Sequence, residues 1–298
     1  MSIKIKSNED IYYDRWEVLK GNAFDCRILV SPYNRRITVY EFNLAQDQGA
    51  EEMVKVLKEK ASENGLDKIW LKSKTGYMET FISVGMKLEA SIPGYYNGKE
   101  TVLIFALYLS NQRQTHSNAS GKELVDKVVS SAKERTVKRI LSDVITLKWG
   151  LEEHCPALAR LYSKVFTTYP FPVFDPDYLK STIDQDSTYY ITAWHNKDLI
   201  AASSAEINRP QQNAEMTDFA TLPKWRGYGL ASFLLAEMET RLKGESFRCL
   251  YTLARSSSIG MNSVFANAGY AYHGVLINNC NIGVDFEDMN VWSKLLLE

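Results

Sequence analysis

The sequence predicts a mixed α/β fold in which a central sheet is flanked by helices. Three observations support this class: strand-like alternating segments recur along the chain, amphipathic helical patterns lie between them, and a polar stretch separates two such series. The chain has 298 residues, of which 45% are hydrophobic and 24% charged. This is ordinary globular composition, with room for about two domains.

The first series alternates strands with helices. Residues 36–42 (RITVYEF) alternate like a strand, 51–64 carry an apolar stripe at helical spacing, and 68–71 form a short strand. A short helix over 77–84 and a buried strand over 101–110 complete the series.

The polar segment NQRQTHSNASGK, residues 111–122, has no apolar period and is predicted to be a linker. We therefore divide the chain into an N-terminal domain (1–118), a linker with a helix (119–139) and a C-terminal domain (140–298).

The second series is longer and predicts the order β-α-β-β-β-α-β-α-β-β. Its segments are a strand at 142–148, a helix at 151–166, strands at 188–195, 199–208 and 213–222, a helix at 227–243, a strand at 248–254, a helix at 258–268 and two final strands. The Pro-rich aromatic segment at 167–178 is predicted to be a loop.

The two series contain a weak internal similarity. Residues 76–90 align with residues 260–274, and each copy follows a short strand and an amphipathic helix. The identical positions are Gly76 with Gly260, Phe81 with Phe265, and Gly85 with Gly269. The matching element order favours a diverged tandem repeat over chance similarity.

Charge, cysteine and hydropathy patterns exclude several classes of function. The formal net charge of -1 provides no basic excess for binding nucleic acid. The 4 cysteines lie far apart without CxxC pairs or nearby histidines, which predicts reduced thiols, a cytoplasmic location and no metal site. The N-terminus is too polar for a signal peptide, and the longest apolar run, 102–109, is too short for a membrane helix.

The most informative segment lies where a predicted strand meets a helix, at RGYGLA (226–231). Glycines allow a sharp turn and a close approach of the backbone to a ligand. The unpaired amides of a helix N-terminus attract anions. The segment therefore predicts a pyrophosphate site, although a tight turn without a ligand also explains many short glycine patterns.

This segment resembles the coenzyme A motif Arg/Gln-x-x-Gly-x-Gly/Ala of the GCN5-related N-acetyltransferase (GNAT) superfamily, with Arg226, Gly229 and Ala231 in its fixed places. Within the superfamily the chain resembles the β-lysine N-acetyltransferases, through the segments AEMTDFATLP, YTLARSSSIGMNSVFANAGY, INNCNIG, EDMNVW and TYPFP. The resemblance implies a GNAT-like fold with acetyl-CoA as co-substrate, and with the internal similarity it predicts a tandem GNAT-like fold. The 4 histidines lack metal-ligand spacing, so we expect no metal. The first half lacks the motif at the matching place, so we expect a degenerate copy that packs or shapes the substrate site and binds no coenzyme.

The resemblance also implies the walls of a coenzyme channel. Strand backbone groups are expected to bind the pantetheine arm, turn amides the pyrophosphate, and residues of the following helix the second side of the channel. These residues are, in that order, Phe219, Ala220 and Thr221; Arg226, Gly227, Tyr228, Gly229, Leu230 and Ala231; and Ser258, Asn262 and Phe265. Phe265 equally fits a core aromatic residue.

Two positions depart from the superfamily pattern. Ser258 stands where an asparagine is often found, and Phe265 stands where a catalytic tyrosine is often found. The general acid therefore stays open among Tyr251, Tyr270, Tyr272 and water, since a thiolate with a pKa near 8.5 leaves without much help.

A carboxylate is expected to serve as general base. An alkyl ammonium has a pKa of about 10.4, so very little of it is nucleophilic at neutral pH. Glu215 lies on the strand that enters the coenzyme motif, where many members of the superfamily place a glutamate base. Asp218 is expected to share this task or to bind a distal ammonium, while a solvated strand carboxylate is the alternative for each residue. A backbone N–H near Phe219 is expected to stabilise the oxyanion.

The substrate implied by the resemblance is β-lysine, which carries one carboxylate and two amines. Arg255 is our candidate for binding the carboxylate, and Tyr169 and Phe171 of the aromatic loop are candidates for cation–π contact with an ammonium. Asn278, in a cluster of amides on a late strand, is a candidate hydrogen-bond partner. The structural alternatives are a surface or helix-capping arginine for Arg255, a loop packed on its own core for Tyr169 and Phe171, and edge-strand turn chemistry for Asn278.

The main hypothesis is thus acetyl transfer to the 6-amino group of 3,6-diaminohexanoate, giving a zwitterion suited to osmotic protection. Transfer to a protein lysine or another small amine, and a non-catalytic acyl-CoA sensor, are the alternatives. We expect a small-molecule amine as partner, with no nucleic acid and no membrane. The oligomeric state stays open, and a homodimer is compatible with the sequence.

Overall fold

The computed structural model describes residues 14–45, 48–117, 121–132, 142–282 and 285–296. Within these residues the strands form one 13-stranded mixed sheet with helices against it, which confirms the α/β class. The strand order is β1-β2-β3-β4-β6-β5-β12-β13-β11-β10-β9-β8-β7.

Among its described residues, the first half of the chain supplies six strands and three α-helices. The strands are β1 (Arg15–Lys20), β2 (Phe24–Ser31), β3 (Arg36–Leu44), β4 (Lys68–Lys74), β5 (Lys87–Tyr96) and β6 (Glu100–Tyr108). The helices are α1 (Gln48–Glu63), α2 (Met78–Ser83) and α3 (Asn111–Gln114). Sequence patterns did not predict β1, β2, β5 or α3.

The middle helix α4 (Gly121–Ala132) belongs structurally with the second half, because Val125 and Val128 are buried in its core. The rest of the predicted linker, residues 119–120 and 133–139, lies outside the described residues.

The second half follows the predicted order with one addition. Its elements are β7 (Ile145–Trp149), α5 (Cys155–Val165), α6 (Pro176–Asp184), β8 (Thr188–His195), β9 (Asp198–Asn208), β10 (Asn213–Thr221), α7 (Leu230–Gly244), β11 (Cys249–Arg255), α8 (Ile259–Asn267), β12 (Ala271–Ile282) and β13 (Asp285–Leu295). The loop prediction for 167–178 is wrong at its end, because Asp175 caps α6 by accepting a 3.0 Å hydrogen bond from the Asp177 amide.

The two halves repeat one strand arrangement. In the first half β3 is parallel to β4, followed by β6 and β5; in the second half β10 is parallel to β11, followed by β13 and β12. Phe81 and Phe265 are both buried, and Gly85 and Gly269 both have positive φ angles, of 87° and 84°. This arrangement supports the tandem repeat, whereas the division at 118 and 140 stays a prediction.

The halves join along β5 and β12, where Gly274 lies opposite Ala90. A Cβ atom on Gly274 would lie 2.3 Å from the Glu89 carbonyl oxygen, so glycine is needed for this close approach. A shared core, which includes Ile92 and Ile104 from the first half and Leu276 and Val291 from the second, packs across the junction. The two halves therefore form one continuous sheet.

The polar face of β3 and β4 is turned toward the second half. Ile37 and Leu71 point into the core under α1, so the alternation of the strands places Arg36, Tyr40 and Lys72 on the opposite face. Tyr40 and Lys72 interact electrostatically with Glu215 of β10, so this face lies near the acidic strands of the second half; we call the region between them the cleft.

Candidate active site

The glycine turn before α7 is exposed and takes a left-handed backbone. Gly227 and Gly229 have φ angles of 88° and 78°, and Gly229 caps the helix, which begins at Leu230. The predicted helix start at Gly227 is therefore wrong by three residues, because residues with these angles cannot continue a right-handed helix. Tyr228 is 59% exposed, so the turn is open to a ligand.

The amides of this turn are available for an anion. Within the described residues, the N–H groups from 227 to 231 have no backbone hydrogen-bond acceptor. They lie at the positive end of a 15-residue helix, and a Cβ atom on Gly227 would meet no atom within 4 Å. The turn therefore fits the diphosphate of coenzyme A.

A gap between β10 and β11 leads away from the turn. The parallel pairing of these strands runs only from Asn213 with Cys249 to Glu215 with Tyr251, although β10 continues to Thr221. On its other edge β10 pairs Ala220 and Thr221 with β9. The edge of Phe219, Ala220 and Thr221 that faces the gap can therefore accept an extended ligand arm as an added strand.

A β-bulge lies at the inner end of this gap. The register of β10 against β9 shifts between Thr217 and Ala220, and Asp218 has a φ angle of 52°. Asp218 and Phe219 consequently have no paired residue on β9. A bulge that releases the Phe219 amide from the ladder can direct it toward the gap.

Asp218 is a buried carboxylate held by hydroxyl groups. Its Oδ1 accepts a hydrogen bond from Tyr169, and its Oδ2 accepts one from Ser204. Burial raises the pKa of Asp218, and the donating hydroxyls of Ser204, Tyr169 and Thr217 oppose that rise. The Asp218 side chain thus connects the aromatic loop to the β-bulge through its hydrogen bond from Tyr169.

Glu215 faces a second carboxylate that sequence reasoning did not identify. Glu206 of β9 lies directly opposite Glu215 in the antiparallel register. Burial, then the charges of Glu215 and Asp218, raise the pKa of Glu206 to about 8. Burial also raises the pKa of Glu215, while Lys72 and a hydrogen bond from Tyr251 oppose the rise. Repulsion between the two carboxylates therefore favours a state in which the pair shares a proton.

Glu206 lines the cleft and does not lie in the packed core. Its side chain is solvent-accessible, yet desolvation is the largest cause of its raised pKa. A carboxylate on a concave part of the surface satisfies both observations. The turn at 209–212 was the sequence signal for this pairing, because a β9–β10 hairpin aligns residues on either side of it.

The Glu206→Gln variant is expected to melt about 2–4 °C above the wild type at pH 9, with the difference vanishing near pH 4.5. The folded-state pKa of Glu206, about 8, lies above its ordinary value of 4.5, so the folded protein retains a proton that the unfolded chain releases. The wild type therefore loses stability as pH rises from 4.5 through 8, and glutamine avoids this loss. Thermal melts across this pH range measure it, and a difference in melting temperature that does not change with pH would contradict the assignment.

The first half contributes Lys72 to the site. Its Nζ lies 3.3 Å from the hydroxyl oxygens of both Tyr95 and Tyr251. Tyr251 in turn donates to Glu215, so it links the lysine to the carboxylate pair. The packing or substrate-shaping role expected of the first half stays a prediction.

The three residues at α8 that were predicted to line the coenzyme channel differ in whether their side chains are free to contact a ligand. Ser258 caps the helix by accepting from the Met261 amide at 3.5 Å, and Phe265 is buried between Phe219 and Tyr270, with ring centroids 5.5 and 5.2 Å away. The Asn262 amide donates to the Arg255 and Ser258 carbonyl oxygens and accepts from Asn290 and Trp292. These four bonds fill the hydrogen-bonding capacity of Asn262 and give it a structural role.

Replacing Asn262 with alanine is expected to lower the free energy of unfolding by about 2–4 kcal/mol, because several buried partners lose their hydrogen bonds. Urea denaturation measures the change. A matched Asn267→Ala change at the end of the same helix, on an exposed residue, should cost less. Equal losses for the two variants would contradict the structural role.

The predicted substrate residues fall in different places. Tyr169 reaches the site through Asp218, and Phe171 lies in the same loop with 38% of its surface exposed. Arg255 forms an ion pair with Glu287, so its charge is already compensated. Asn278 donates to the carbonyl oxygens of Arg113 and Thr115 at 3.0 and 2.6 Å, which ties it to the chain after β6.

The described residues contain no cluster of three or more histidine, cysteine, aspartate or glutamate side chains arranged to hold a metal ion. No helix in the described ranges combines the length and apolar character that crossing a membrane requires.

Comparison with known proteins identifies the family. Residues 152–270 match the acetyltransferase (GNAT) family. The chain is 36% identical over 267 residues to N-acetyltransferase YodP of Bacillus subtilis, covering 89% of this chain and 94% of the relative. It is 34% identical over 271 residues to the β-lysine N(6)-acetyltransferase of Methanococcus maripaludis, covering 91% of this chain and 96% of the relative. The chain belongs to the GNAT acetyltransferase family.

A third relative agrees with this assignment. The β-lysine N(6)-acetyltransferase of Methanosarcina mazei is 36% identical over 188 residues, covering 63% of this chain and 69% of the relative. The resemblance stated from the sequence is thus confirmed, and the protein is a GNAT N-acetyltransferase. Enzymes of this family use acetyl-CoA as co-substrate, and the open turn and strand gap of this GNAT chain fit that ligand.

Proposed function

We propose that this enzyme transfers an acetyl group from acetyl-CoA to the 6-amino group of β-lysine (3,6-diaminohexanoate), giving N6-acetyl-β-lysine, a compatible solute. The observation that carries the proposal is the opposed Glu206–Glu215 pair beside the gap between β10 and β11. Carboxylates at this place attract an ammonium group and accept its proton. The names of two relatives as β-lysine N(6)-acetyltransferases support the choice of substrate.

Glu215 acts as the general base. A protonated alkyl amine is not nucleophilic, and a nearby carboxylate with a raised pKa removes its proton efficiently near neutral pH. Lys72 and Tyr251 favour the ionised form of Glu215, whereas the charges of Glu215 and Asp218 favour the protonated form of Glu206. Asp218 adds negative charge near the bound ammonium and positions Tyr169.

The Phe219 amide stabilises the oxyanion that forms on attack. It lies in the β-bulge beside the gap, where β9 has no residue paired with it. Acetyl-CoA supplies the thioester and a leaving thiolate that needs little help from an acid. Tyr251 stays protonated because burial raises its pKa well above the ordinary value, so it is the tyrosine beside the base that can return a proton.

A thiol-release assay with acetyl-CoA tests the function over a panel of β-lysine, α-lysine, ornithine, spermidine and a lysine-containing peptide. The product of β-lysine is examined by mass spectrometry and NMR to locate the acetyl group. Fastest turnover with β-lysine at the 6-amino group supports the proposal. Preference for the peptide or for spermidine would replace it with the alternative substrates, and coenzyme binding without turnover would identify a sensor.

A further inference from the structure

Lys72 stands among aromatic rings, with the charge of Glu215 nearby but no carboxylate in direct contact. Its Nζ lies 4.9 Å from the Tyr251 ring centroid, 5.1 Å from that of Tyr95 and 5.5 Å from that of Trp70. Within the described residues, no carboxylate oxygen lies within 4.0 Å of Lys72 Nζ, the limit for an ion pair. The hydroxyl oxygens of Tyr95 and Tyr251, each 3.3 Å from Nζ, are long hydrogen-bond partners. Burial disfavours the charge of Lys72, but Tyr95 and Glu215 outweigh it and raise its pKa, so the side chain is a cation. A cation without a direct anionic contact gains from an added anion.

A neighbouring lysine shows how the same strand face compensates a buried cation. Lys68, four residues earlier, contacts both carboxylate oxygens of Glu89 at 3.1 Å and the Ile277 carbonyl oxygen at 2.8 Å. Lys68 is thus satisfied inside the protein. Lys72 differs because no carboxylate contacts its ammonium group directly and it lies on the face of β4 toward Glu215.

Arg36 adds a second cation to this side of the cleft. Its guanidinium carbon lies 5.5 Å from the Trp70 ring centroid, as does Lys72 Nζ, so the two cations flank one ring. Its Nη1 donates to the Asn279 carbonyl oxygen at 2.8 Å, while its Nε is buried with no partner among the described residues. A buried donor without an acceptor is rare in folded proteins and points to a ligand or an ordered water.

The cleft is therefore electrostatically two-sided. Glu206, Glu215 and Asp218 lie on the strands of the second half, and Lys72 and Arg36 lie on those of the first. A simple diamine matches only the acidic side. A ligand with both amino and carboxylate groups matches both sides.

We propose that Lys72, with Arg36 beside it, binds the carboxylate of the substrate and makes the enzyme select diamino acids over diamines. The proposal rests on the proposed function and adds the residues that set its substrate class. It places this role in the first half of the chain, in preference to Arg255, whose charge Glu287 already compensates.

Calorimetric binding in the presence of coenzyme A tests the proposal without requiring turnover. The ligands are 3,6-diaminohexanoate and pentane-1,4-diamine, which is the same diamine without the carboxylate. The wild type is expected to bind the acid about 10- to 100-fold more tightly than the diamine, which is the usual contribution of a charge-assisted hydrogen bond. In Lys72→Met this preference should fall to about threefold or less, and Lys72→Arg should retain part of it.

Two controls separate this role from misfolding and from general loss of charge. Lys74→Met makes the same change on the same strand face, but at an exposed lysine paired with Glu100, and should keep the full preference. Arg255→Met should also keep it. Melting temperature and coenzyme A affinity report folding, and Lys72→Gln replaces the methionine variant if the latter does not fold.

A wild type that binds the two ligands equally, or a Lys72 variant that keeps the wild-type preference, would overturn the proposal. Equal weakening of both ligands in Lys72→Met would also overturn it, because the lysine would then act through Glu215. Binding is measured separately from thiol release. If the proposed function fails but this proposal holds, the enzyme will still prefer the acid over the diamine without releasing thiol.

Discussion

The Glu215→Gln variant is expected to have a kcat lower than that of the wild type by about 10²- to 10³-fold at pH 7, the usual contribution of a general base. Glutamine retains the size of the side chain but cannot take the proton of the ammonium. The deficit should shrink as pH rises toward the amine pKa of about 10.4, because free amine then becomes abundant without a base. Initial rates of thiol release between pH 6 and 10 measure both effects.

The matched control is Glu237→Gln, the same change on the exposed side of α7, which should leave kcat within twofold of the wild type. Glu206→Gln separates the two members of the carboxylate pair. If Glu215→Gln retained most of the activity while Glu206→Gln lost it, the base would be Glu206. If both variants and Asp218→Asn were silent, deprotonation by this cluster would be wrong.

The Gly227→Val variant is expected to raise the KM for acetyl-CoA at least tenfold. Its φ angle of 88° disfavours any L side chain, and the branched side chain would project into the open space that fits the diphosphate. Loss of one or two amide hydrogen bonds to a charged ligand accounts for this magnitude. Coenzyme A titration calorimetry and steady-state kinetics measure the change.

Gly85→Val provides a control for backbone strain. Gly85 has a φ angle of 87°, and a Cβ atom on it would meet no atom within 4 Å, as at Gly227, but it lies in the first half after α2. Both variants should lose similar stability, while only Gly227→Val should weaken coenzyme binding. Equal coenzyme affinity in the two variants would show that the turn does not hold the diphosphate.

Elements with strong local periodicity were predictable from the sequence. The order of strands and helices after residue 142 and the exposed glycine turn before α7 follow from hydrophobic spacing and glycine placement. The helix α6 was missed because prolines and aromatic residues surround its start, and β5 was missed because Gly94 and Pro93 interrupt its pattern.

The candidate site was only partly predictable. Glu215 and the strand proposed to bind the coenzyme could be singled out because they adjoin a recognisable turn. Glu206 was missed because its role depends on the register of β9 against β10, which a strand pattern alone does not specify. Lys72 was missed because it is one of three lysines on β4, and surface lysines are usually solvated.

The sequence by itself determined the family, the α/β class and the position of the exposed glycine turn that we propose binds coenzyme A, since each depends on residues that are close together along the chain. Only the tertiary structure decided that Lys72 and Arg36 of the first half border the acidic strands of the second. The physical reason is that β5 and β12 join two half-sheets into one, which brings together side chains whose contacts depend on sheet register and curvature.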